Sequence, residues 1–114
     1  GSGVAGTVSL DDGLKSRVSP NDTIFIFAKA AKGPRMPLAV IKKQVKDLPI
    51  RFNLDDSKAM SAELVISKFS EVVVSARISK TGDAIAQTGD LKGGGSIIKV
   101  GTSDLQIIID SAVP

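Results

Sequence analysis

Side chains that handle protons near neutral pH are few in this sequence. Its 114 residues include no histidine and no cysteine. General acid–base catalysis most often recruits histidine, and covalent catalysis needs a base beside a serine or cysteine. The nearest approach is a Ser-Lys dyad at Ser67-Lys68 or Ser79-Lys80. Neighbours on a strand point to opposite faces, so neither pair would meet. These residue types predict no enzyme.

Metal and cofactor chemistry meet the same shortage. Zinc, copper and iron lose their main ligands with histidine and cysteine. Met36 and Met60 are thioethers that could ligate haem or copper(I), but two of them alone make a poor site, and Met60 reads as core filling. Calcium needs only oxygen, yet Asp11-Asp12 and Asp55-Asp56 lack the D-x-D-x-D-G spacing and read as turn and capping residues. Gly93-Gly94-Gly95-Ser96 has no downstream Gly-Lys-Ser/Thr and no following helix, so it reads as a flexible loop rather than a phosphate cradle. No cofactor is expected.

The net charge is +3, from 15 Lys+Arg against 12 Asp+Glu. Without His, Cys or Tyr almost nothing titrates between the carboxylates and the lysines, so this small excess pushes the isoelectric point far up. Seven basic residues between Lys29 and Arg51 lie close in sequence, but the only aromatics are four Phe at mostly core-phase positions. Single-stranded nucleic acid calls for exposed aromatics among the cations. The expectation is a solvated basic face and no nucleic-acid partner. One segment does suit a contact: Lys32-Gly33-Pro34-Arg35-Met36-Pro37, which presents a forked donor and an adaptable thioether from a loop stiffened by two prolines. A plain inter-strand connection with Met36 tucked over the edge fits the same residues equally well.

The elements that would position this loop are strands. Val4, Gly6, Val8 and Leu10 alternate with Ala5, Thr7 and Ser9, and residues 12–18 fit one helical turn. Thr23 to Ala30 is apolar on both faces, the pattern of a central strand. Leu38–Val45 follows, and then Ile50, Phe52 and Leu54 alternate with polar residues. Residues 57–70 fit a short helix or a strand, and a strand over 63–67 is favoured. In Glu71–Ser79, Val72, Val74, Ala76 and Ile78 face in, leaving Ser75, Arg77 and Ser79 outward. Gly82 to Ser96 reads as a long, partly mobile connection. Ile97–Val100 is a short candidate strand, and Leu105, Ile107 and Ile109 mark the last one. About seven short strands without a long amphipathic helix predict an all-β, antiparallel, immunoglobulin-like β-sandwich. Residues 4–114 would form one domain, with Gly1-Ser2-Gly3 a flexible start of which Gly1-Ser2 is non-native.

Val18 to Ala30, continuing through Gly33-Pro-Arg-Met-Pro-Leu-Ala-Val40, resembles the C-terminal domain of the cytochrome c biogenesis family CcmI/CycH. Asp47-Leu48-Pro49, Phe52 to Ser57, Met60, Val72 to Ser79, Gly82, Ala84 and Gly89-Asp90-Leu91 continue the pattern in order. The resemblance implies a periplasmic immunoglobulin-like domain of a parent anchored in the bacterial inner membrane, following membrane helices and a tetratricopeptide region. It implies a non-catalytic interaction domain that assists apocytochrome c presentation or complex assembly in haem ligation, acting as part of a chaperone. Its partners would be apocytochrome c or haem-ligase subunits, with membrane contact only through the parent's anchor, and the domain itself would be monomeric. A structural cap for the upstream repeats, or a generic ligand-binding sandwich, are the alternatives. The absence of thiol and imidazole then acquires a possible use: a domain beside reactive apocytochrome thiols and haem offers neither a mixed-disulfide partner nor a stray axial ligand.

Overall fold

Alternating β-branched and polar residues become strands in the computed structural model, which describes residues 3–83 and 85–114. The reading of Gly1-Ser2 as non-native, and the Ala84 of the family pattern, lie outside the described residues. The strands are β1 (Val4–Leu10), β2 (Thr23–Ala30), β3 (Ala39–Gln44), β4 (Ile50–Leu54), β5 (Glu71–Ser79), β6 (Leu91–Lys99) and β7 (Leu105–Ala112). They join in one seven-stranded sheet of order β3-β2-β5-β6-β7-β1-β4. All pairings are antiparallel except β1 with β7, which run parallel with Val8 opposite Ile107. The end strands β3 and β4 touch, so the sheet curls almost into a barrel around a shared core.

That core follows from the period-2 pattern. Val4 and Val8 of β1, Ile24 and Ile26 of β2, and Ile107 and Ile109 of β7 are all buried in it. Close approach of backbones fixes two glycines. A Cβ at Gly6 would lie 2.1 Å from the Leu105 carbonyl oxygen, and one at Gly93 would lie 2.1 Å from that of Ile108. Strand β7 is thus squeezed on both sides, and any larger residue would push β1 or β6 away. For this reason the Gly93-Gly94-Gly95 run, expected in a flexible connection, is built into β6.

The segment after β4 also departs from expectation. The strand favoured over 63–67 is absent; Ile66–Lys68 is a 3-10 turn with Ile66 fully buried. The Ser67 N–H donates to the Asp56 carboxylate at 2.9 Å instead of to a ladder. Residues Asp12–Arg17 form the expected helical turn as a 3-10 helix, with Leu14 packed on the core. Among the described residues no helix is long and apolar enough to cross a membrane.

Candidate functional site

Strand β2 is apolar on both faces because it separates two environments. Ile24, Ile26 and Ala28 fill the core, while Phe25, Phe27 and Lys29 project to the other side. Sheet register brings partners to them: Val40 of β3 and Ser75 of β5 flank Phe27, and Lys42 and Arg77 flank Phe25. The result is an open groove of about 520 Å³ whose floor is Phe25, Phe27 and Val40, walled by Pro37, Met60 and Ala86. The Lys29 ammonium lies 5.4 Å from the Phe27 ring centroid and the Arg77 guanidinium 5.2 Å from that of Phe25. Met60, expected in the core, is 61% exposed at this wall, because the segment after β4 runs over the surface and turns inward through Leu64, Ile66 and Phe69 instead.

Beneath the groove lies a buried ion pair. Arg77 Nη1 is 2.8 Å from Asp90 Oδ2, and both side chains are less than a tenth exposed. Arg77 Nη1 and Nη2 also donate to the Asp83 carbonyl at 3.3 Å, and Asp90 Oδ2 accepts the Gln87 N–H at 3.1 Å. The expectation that Arg77 and Ser79 face solvent is therefore corrected. Thr81 lies against Ser79, and Asp83 and Asp90 lie against Arg77, and a guanidinium so covered needs a carboxylate.

A second groove, of about 720 Å³, opens at the other end of the fold between Leu10, Val18, Val45 and Leu48. Its rim carries Asp12 and Lys15, paired at 2.8 Å. Hydrogen bonding and charge from Lys15 hold the Asp12 carboxyl below its usual range, and Asp12 raises Lys15 in turn. Asp55 is likewise lowered, by hydrogen bonds from the Ser57 hydroxyl and backbone N–H.

The match to known proteins is consistent along nearly the whole chain. The family model for the Ig-like domain of cytochrome c-type biogenesis protein H matches residues 4–110. The chain belongs to this family. It is 40% identical over 108 residues, 93% of its length, to the cytochrome c-type biogenesis protein CycH of Pseudomonas aeruginosa, and spans 26% of that protein. It is also 32% identical over 107 residues to an uncharacterized protein of Aquifex aeolicus, covering 94% of this chain and 69% of that one. An alternative pilotin from the type II secretion system of Vibrio cholerae shares the fold, with a TM-score of 0.52 at 18% identity, covering 98% of this chain and 96% of the pilotin. The expected immunoglobulin-like architecture is the one found, with the β1–β7 parallel pairing added.

Within this CycH-type Ig-like domain the sequence candidates are dispersed. Lys32, Gly33, Pro34, Arg35 and Met36 stand exposed on the connection from β2 to β3, with Gly33 at φ +112°; only Pro37 reaches the groove. Ser67 and Lys68 lie on a 3-10 turn, where the serine hydroxyl donates to Asp56 and the lysine to the Glu63 carbonyl. Ser79 is buried, and Lys80 pairs with Asp22 at 2.9 Å. Asp55 caps the 3-10 turn Asp56–Lys58, and Asp56 tethers Ser67. Phe25 and Phe27 were not singled out by sequence, and Lys42 was read only as part of a solvated basic face. The available signal was a strand apolar on both faces, which means that two surfaces must be covered.

Proposed function

We propose that residues 4–114 act as one non-catalytic protein-binding domain of a c-type cytochrome biogenesis factor. It works in the periplasm on a membrane-anchored parent, and its partner is apocytochrome c or a subunit of the haem-ligase complex. Membership of the CycH Ig-like family supports the setting. The single observation that carries the binding role is the open groove over Phe27 and Val40, an apolar surface on rigid strands with cations at its edge and Phe25 largely buried beneath it. Aromatic side chains set in a sheet offer large contact area at little cost in conformational entropy. The exposed loop from Lys32 to Pro37 borders the groove through Pro37 and extends the proposed contact surface.

Titration of the isotope-labelled chain with apocytochrome c, and separately with soluble segments of haem-ligase subunits, tests this reading. Saturable amide shifts with one of them are expected. Absence of shifts with all of them removes the binding role and leaves the domain as a spacer for its parent.

A further inference from the structure

The groove over β2 and β3 carries a charge pattern that its apolar floor does not require. Lys29 and Lys42 are exposed, both line the groove, and among the described residues neither is in an ion pair. Among the described residues no carboxylate lines the groove; Asp90 below it is taken by Arg77. A purely apolar occupant would crowd two ammonium groups and give them no counter-charge, in return for covering Phe27, since Phe25 is already only 9% exposed. An occupant with carboxylates supplies that counter-charge, and each lysine gains a partner in a partly desolvated place.

The register fixes where those carboxylates belong. Phe27 pairs with Val40 in the middle; Lys42 lies opposite Phe25, two residues to one side, and Lys29 lies two residues beyond Phe27 on the other. Residues 25 and 29 are four apart on β2, so the ammonium groups are rooted about 13 Å apart along the strands. An extended peptide has the same rise, and its residues i, i+2 and i+4 share a face. We propose that this groove binds an extended peptide segment of the form acidic-x-apolar-x-acidic. The central apolar side chain lies on Phe27 and Val40, and the outer carboxylates meet Lys29 and Lys42. This rests on the protein-binding reading above and names the surface and the chemistry of its partner.

The test uses short synthetic peptides with Glu-x-Leu-x-Glu, the charge-reversed Lys-x-Leu-x-Lys, and Glu-Glu-x-Leu-x, against the chain and its K29E/K42E variant. Both substituted lysines are exposed, and a thermal melt checks that the variant folds. The expected result is that the chain prefers the spaced acidic peptide to the basic one by at least about tenfold, with the adjacent-Glu peptide in between. K29E/K42E should invert the preference, and Phe27→Ser should weaken both peptides. Equal binding of acidic and basic peptides, or unchanged acidic-peptide affinity in K29E/K42E, overturns the proposal. So does a groove filled by a second copy of the chain, seen as a dimer by sedimentation that K29E/K42E dissolves, or by anionic phospholipid vesicles in place of peptide. Apocytochrome c titrated in parallel separates the two levels. If it binds the chain and K29E/K42E alike, the groove assignment fails while the protein-binding reading stands; if neither it, the ligase segments nor any peptide binds, both fail.

Discussion

The two grooves of this domain differ in a way that reverses their ranking by size. The one between Leu10, Val18, Val45 and Leu48 is larger, about 720 Å³ against 520 Å³ for the one over Phe25 and Phe27. Yet the larger carries a carboxylate, Asp12, matched by Lys15, beside one further lysine, Lys46, whereas the smaller carries two lysines and, among the described residues, no carboxylate. The larger is assembled from strand ends and turns around Pro20 and Pro49; the smaller lies on the paired faces of β2, β3 and β5. Groups on hydrogen-bonded strands keep their spacing, which recognition requires. Unmatched charge on a rigid apolar face marks a binding surface better than volume does.

The largest expected effect lies beneath the smaller groove. Asp90→Ala would leave Arg77 buried without its carboxylate and destabilise the fold by about 3–5 kcal/mol, read from urea unfolding. Asp12→Ala at the larger groove breaks an exposed pair and should barely move the midpoint. Equal effects from the two would erase the contrast. Next, Phe27→Ser should cost roughly 1 kcal/mol of stability, being only half-buried, while weakening partner binding at least about tenfold. Leu48→Ser in the larger groove should cost a similar amount of stability and leave binding unchanged, as measured by calorimetry. Met60→Ser should stay within about 0.5 kcal/mol of the parent in stability, because Met60 is 61% exposed, and should still weaken binding severalfold.

The smallest effect is acid sensitivity. Asp12 and Asp55 have folded values below the ordinary 3.8, so their ionised forms favour the folded state. Their contribution is complete above the ordinary carboxylate range and is lost as pH falls through the lowered values. Lys15 is raised above 10.5, so its contribution holds below that value and is lost as pH rises through the raised one. Unfolding midpoints against pH should show a shallow acid slope, reduced by Asp12→Asn and by added salt.

Much of the fold was legible because alternation fixes faces. Val4 and Val8, Ile50 and Phe52, and Val72, Val74, Ala76 and Ile78 all lie where the period places them. What escaped depended on contacts distant in sequence. Gly93 reads as loop until β7 comes within reach of its backbone. Arg77 reads as outward until Asp83 and Asp90, the latter thirteen residues on, meet it. The candidate site was hidden for a third reason. A strand apolar on both faces says that Phe25 and Phe27 adjoin something apolar, but not that it is an open groove. The family resemblance was legible from motif order, and the match over residues 4–110 agrees with it.

The most direct measurement is the amide shift map of the labelled chain titrated with unlabelled apocytochrome c. The account predicts saturable shifts concentrated at Phe25–Lys29, Val40–Lys42 and Met60, with residues around Leu10 and Leu48 unmoved. Shifts centred on the larger groove, or no shifts at all, would contradict it.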